Sequence, residues 1–246
     1  MTPAELHALF VSLADPDYKV FGDRLQPGIT DRLGVRMPAV RRVAKDLLKS
    51  PGARAFLDGM LAEGRFTSQE ALMTCEIVAG SARDLTLEER LRYVDRLLPH
   101  MTGWATCDLM GSAVKVFREH PLELLPYISG KLASADRWTV RVAEVWLLEH
   151  YRFPEWVKPA LGLLDAPESR ALPLAASGDY YLSMSLAWCL SMLAVGDAQA
   201  AYDRMEAWRD AGRLDAKTIE RTVRKIGDSY QFTPDEKQYA AARLLP

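Results

Sequence analysis

The chain has 246 residues, with 31 basic against 33 acidic side chains and 49% apolar residues. That composition excludes a disordered chain, which would be poorer in apolar residues. The length buries enough surface that no disulfide or metal staple is required. Cys75, Cys107 and Cys189 are an odd number without close spacing, so they form neither a disulfide framework nor a zinc site. His7, His100, His120 and His150 are scattered and read as helix-end or surface residues. The chain shows no signal-peptide pattern and no apolar run near ~18 residues, so a cytoplasmic protein with no membrane contact is expected.

In chain order, the elements read as helices. Val40, Val43, Ala44, Leu47 and Leu48 recur on one helical face between Pro38 and Lys49. Thr67 to Val78 opens on Thr67-Ser68-Gln69-Glu70, a capping-box pattern, and Thr86 to Leu98 opens on Thr86-Leu87-Glu88-Glu89, another. Further helices are expected over 103–118, 121–133, 137–151, 154–164, 179–194, 197–211, 215–230 and 233–245, with 165–178 as an interruption. No window has strand-like alternation. Trp104, Trp138 and Tyr180 open stretches 34 and 42 residues apart, near the period of two-helix repeats. The expected fold is all-α, a single domain over 1–246. It is an α-solenoid of roughly twelve to fourteen helices in antiparallel HEAT-like pairs, with a concave groove.

Some polar residues fall on otherwise apolar helices. Trp104 and Asp108 are four apart and share a face. Arg141 and Trp188 lie within apolar helices of their own. Asp108 and Arg141 could be a buried interhelix ion pair, and the tryptophans could be core. Positive charge gathers in two stretches. Residues 30–54 carry seven basic side chains, among them Arg36, Arg41, Arg42 and Lys45, against Asp31 and Asp46. Residues 217–225 carry Lys217, Arg221, Arg224 and Lys225 against Glu220. Both could be solvated helix faces or could neutralise phosphates.

Five landmarks occur in order: Gly34-Val35-Arg36-Met37-Pro38, Gly103-Trp104-Ala105-Thr106-Cys107-Asp108, Trp138-Thr139-Val140-Arg141, Tyr180 to Trp188, and Lys217 to Arg224 followed by Ser229-Tyr230. With them the sequence resembles the AlkD-like HEAT-repeat DNA glycosylases of the DNA alkylation repair family, from about Gly34 to Tyr230. The resemblance implies hydrolysis of the N-glycosidic bond of cationic N3- or N7-alkylated purines in duplex DNA. It implies Asp108 as the catalytic carboxylate, Trp104 and Trp188 against the lesion and sugar, and Arg141 on a phosphate. Arg36, Arg41, Arg42, Lys45, Lys217, Arg221 and Arg224 would form a DNA-binding rim. It implies a monomer that needs no cofactor and no metal. Residues 14–36 depart from the family pattern. Pro16, Gly22, Pro27 and Gly28 leave room for only about two helical turns, which brings the chain nearer a branch with a shortened N-terminus. The alternative is a non-catalytic HEAT-like scaffold that binds nucleic acid or a protein through the same groove.

Overall fold

A computed structural model of the protein describes residues 1–49 and 52–245. It is all-α, with sixteen α-helices among the described residues. The chain gathers into two compact units, Met1–Val116 and Phe117–Pro246. The first holds α1 (Pro3–Ser12), α2 (Pro16–Leu25), α3 (Met37–Lys49), α4 (Ala53–Ala62), α5 (Gln69–Ser81), α6 (Leu87–Leu97) and α7 (Trp104–Ala113). The division falls within the short α8 (Val116–Glu119). The second holds α9 (Pro121–Leu132), α10 (Arg137–His150), α11 (Pro154–Asp165), α12 (Ala171–Ala176), α13 (Tyr180–Gly196), α14 (Ala198–Asp210), α15 (Ala216–Asp228) and α16 (Pro234–Leu244).

Helices adjacent in the chain pack as pairs, such as α5 with α6, α9 with α10 and α15 with α16. Across the pairs, α3, α5 and α7 pack side by side in the first unit, and α10, α13 and α15 do so in the second. This is the pairing of a HEAT-like α-solenoid. The residues that open each repeat stand where the spacing placed them, with Trp104 and Tyr180 at the first positions of α7 and α13 and Trp138 at the second of α10.

Local chemistry sets most boundaries. Thr2 with Glu5, Thr86 with Glu89 and Thr233 with Glu236 form reciprocal capping boxes. Three expectations need correction. The segment read as one helix over 103–118 breaks after Ala113, where the Lys115 N–H bonds back only to Ala113 O at 3.1 Å. The helices among the described residues number sixteen rather than twelve to fourteen, one of them α12 inside the stretch 165–178 that the sequence marks as an interruption. Residues 14–36 hold the ten-residue α2, nearly three turns. Pro16 sits in its first turn, where a missing N–H costs nothing, and the Asp15 side chain caps it from Tyr18 N.

In the first unit the middle helix of the row, α5, is the most buried of the three. In α5 the carboxylate of Glu76 is wholly buried and neither oxygen has a hydrogen-bond partner. Burial pushes its pKa well above the ordinary value of 4.5. The folded state therefore keeps a proton that the unfolded chain loses above that value. Stability must fall as pH rises from there towards the folded pKa, by about 1.4 kcal/mol per pH unit. Glu76→Gln removes the titration. Its melting temperature relative to wild type should rise as pH climbs from about 4.5 towards neutrality. A difference that stays constant over that range would contradict the assignment. Among the described residues no helix is long and apolar enough to cross a membrane.

Candidate functional site

In the first unit, the site is built on the start of α7. Gly103 is its N-cap, in extended backbone, and the Gln26 side chain packs against it, 2.9 Å from where a Cβ would stand. Trp104 follows, and its indole N–H donates to the Leu25 carbonyl at the end of α2, at 3.3 Å. Asp108 stands one turn further along the same face. Both are half-buried, and both line a cavity of about 340 Å³. That is within the size range of small-molecule sites, roughly 300–1,000 Å³. The opposite wall is α2, through Tyr18, Phe21 and Leu25, and α3 contributes Arg41 at the edge.

The Gly34-Val35-Arg36-Met37-Pro38 turn forms part of the same wall. Gly34 has φ +88°, and a Cβ there would lie 2.7 Å from the Asp15 carbonyl, so both backbone conformation and packing demand glycine. The buried Glu70 carboxylate accepts the N–H groups of Leu33, Gly34 and Val35 at 3.1, 2.8 and 3.1 Å. This corrects the capping box expected at Thr67. Ser68 is the N-cap of α5, and Glu70 serves the distant turn instead. Arg36 pairs with Asp15 at 2.7 Å and lies over the Tyr18 ring at 4.9 Å. The Tyr18 backbone N–H, and then Arg36, hold the Asp15 carboxyl below its ordinary range. Beneath α2, Arg32 Nε donates to Gln69 Oε1 at 3.2 Å, and Gln69 Nε2 donates to Gln26 Oε1 at 3.2 Å.

The second unit carries a row of cations on aromatic rings along α10, α13 and α15. Arg137 lies over Trp138 at 4.4 Å, Arg221 over Tyr180 at 5.1 Å and Lys225 over Trp188 at 5.9 Å. Such contacts are worth about 0.5–2 kcal/mol each. Asp179 anchors the row by pairing with Arg137 at 2.8 Å, and Arg221 also donates to Ser183. Arg141 is buried, and its guanidinium donates to the Tyr181 carbonyl at 2.7 Å.

The sequence-predicted residues thus fall two to each unit, with Trp104 and Asp108 in the first and Arg141 and Trp188 in the second. Of the basic residues, Arg41, Arg42, Lys45, Lys217 and Arg224 are exposed, and Arg36 is exposed but tied to Asp15. Arg221 is half-buried. Sequence reasoning missed Tyr18, Phe21, Arg32 and Gln69 as cavity residues. The spacing of Tyr18, Phe21 and Leu25 on one helical face was a legible signal. Nothing local marked Arg32 or Gln69.

A family model described as DNA alkylation repair enzyme matches residues 6–212. No curated protein matches the chain, and no solved structure does.

Proposed function

Because this chain belongs to the DNA alkylation repair enzyme family, we propose that it is a monofunctional DNA glycosylase. It would act as a monomer on cationic N3- and N7-alkylated purines in duplex DNA. The observation that carries this reading is the pairing of Trp104 and Asp108 on one helix face, lining a cavity walled by aromatic residues.

Alkylation at a ring nitrogen makes the base cationic. When the C1′–N bond breaks, its electron pair passes to the base, which leaves neutral and needs no general acid. The positive charge moves to the sugar as an oxocarbenium ion. The Asp108 carboxylate stabilises that charge and orients the water whose oxygen bonds to C1′, the spare proton passing to solvent. Trp104 offers its π face to the cationic lesion. In the second unit, Trp188 with Lys225 over its ring adds a π surface for the nucleic acid, and Arg141, buried against the Tyr181 carbonyl, would have to turn outward to meet a phosphate. Arg36, Arg41, Arg42 and Lys45 on one stretch, and Lys217, Arg221 and Arg224 on another, neutralise backbone phosphates. The wall that α2 supplies supports catalysis, because the N-terminal segment contributes helix to the cavity.

One observation favours the scaffold alternative. No residue of α2 is buried, and its Val20, Phe21 and Leu25 are exposed apolar groups of the kind a partner covers. Methylated duplex DNA separates the readings. Purified protein should release N7-methylguanine or N3-methyladenine, with binding that weakens steeply as salt rises. Salt-sensitive binding with no base release would favour the scaffold, and no binding at all would end both DNA readings.

A further inference from the structure

Carboxylates hold several arginines of the second unit. Asp179 pairs with Arg137, and Asp203 and Glu206 pair with Arg243. Arg221 on α15 is half-buried too, yet among the described residues it pairs with no carboxylate. Its contacts are of another kind. The guanidinium lies over the Tyr180 ring at 5.1 Å, and Nη1 donates to the Ser183 hydroxyl. Ser183 is 1% exposed and sits 2.7 Å from the hydroxyl of Thr218, which is wholly buried. The Asp215 carboxylate sets the direction of these bonds. It can only accept, so Thr218 Oγ1 gives its one proton to Asp215 Oδ2 at 2.5 Å. Thr218 therefore accepts from Ser183, and the Ser183 oxygen turns a lone pair to Arg221. Asp215 is itself fixed as the N-cap of α15, where Oδ1 accepts from the Thr218 N–H at 3.0 Å. This relay holds one corner of the guanidinium fork, and Tyr180 holds its plane. Among the described residues neither Nε nor Nη2 of Arg221 has a hydrogen-bond partner, and neither is buried.

We propose that Arg221 is a pre-oriented phosphate clamp, with Ser183 as its positioning residue. The proposal rests on the reading that this chain binds DNA, and it concerns the backbone rather than a base. A guanidinium drawn partly out of water without a counter-ion is unfavourable, and two outward donors on one fork match two oxygens of one phosphate. The occupant is a polyanion rather than a lone anion. Lys217, Arg221 and Lys225 are four apart and share a face of α15, and Arg224 adds a fourth charge to the same helix. A rim lysine meets a phosphate as a point charge, in many orientations. A fork held at one corner and in its plane meets it in one. Arg221 therefore sets where the backbone lies on the second unit, beyond attracting it.

The probe is an unmodified DNA duplex, its Kd measured across a salt series, so the test stands apart from catalysis. Arg221→Lys keeps the charge and loses the fork. It should weaken binding about tenfold and leave the salt slope of log Kd unchanged. Arg221→Gln should also reduce that slope by about 0.9, the share of one phosphate. Arg224 is exposed, its nearest carboxylate Asp228 of the same helix at 4.0 Å, and Arg224→Lys should change Kd by less than about twofold. Ser183→Ala should weaken binding about threefold or more in wild type, and not at all beside Arg221→Lys, where no fork remains to be held. Thr218→Val interrupts the same relay from its other side and should repeat that pattern, so poor folding of one variant does not end the test. Equal effects of Arg221→Lys and Arg224→Lys would overturn the clamp. An equal cost of the relay variants in both backgrounds would overturn the positioning role and leave those residues structural. No duplex binding by wild type would remove the DNA reading as a whole.

Discussion

Asp108→Asn is expected to cut base release from methylated duplex DNA by about 10²–10³-fold. The substitution keeps the shape of the side chain and removes its charge. Asp108 shares a face with Trp104 and borders a cavity with largely apolar walls, so its field is weakly screened there. DNA affinity should be retained or should rise, because the lost carboxylate repels phosphates. A structural carboxylate predicts a different pattern. Losing one member of a buried ion pair lowers stability by about 3–5 kcal/mol. A melting curve and a base-release assay on the same variant therefore discriminate. Wild-type melting with lost release identifies a catalytic carboxylate. A large fall in melting temperature, in a protein whose wild type releases no base, identifies a structural one.

The second large effect concerns the fold around the cavity. Glu70→Ala removes the acceptor for three backbone N–H groups, of Leu33, Gly34 and Val35. An unmatched buried donor costs about 1–3 kcal/mol, so the variant should lose about 3 kcal/mol or more. The loss should be local at first. Hydrogen exchange at the Gly34 and Val35 amides should quicken well before α5 exchanges. Glu70→Gln keeps one acceptor oxygen but turns an amide donor towards those N–H groups, so it should fall between Ala and wild type. Unchanged melting with protected amides in Glu70→Ala would show that the turn holds itself. The turn also carries Val35 and Met37 of the cavity wall, and Gly34 seats the start of α2. The same variant should therefore weaken base release through displacement of α2.

Sequence alone determined what depends on neighbours along the chain. Helical periodicity specified α3, α6 and α10, and the Thr86 capping box formed as read because both of its hydrogen bonds span three residues. The four-residue spacing of Trp104 and Asp108 required a shared helical face. The two basic stretches were countable, and the family-like landmarks stood in order. Tertiary structure decided what depends on residues far apart in the chain. Glu70 satisfied the local capping pattern at Thr67, yet three N–H groups about 36 residues away claimed its carboxylate. A single side-chain contact at a helix end was outweighed by several matched donors in a dry interior. The cavity arose in the same way. Its walls come from α2, α3, α5 and α7, brought together by packing, and no sequence spacing relates them. The seat of Arg32 against Gly22 exists only because a helix passes close above a distant side chain, and only a residue without a Cβ allows that approach.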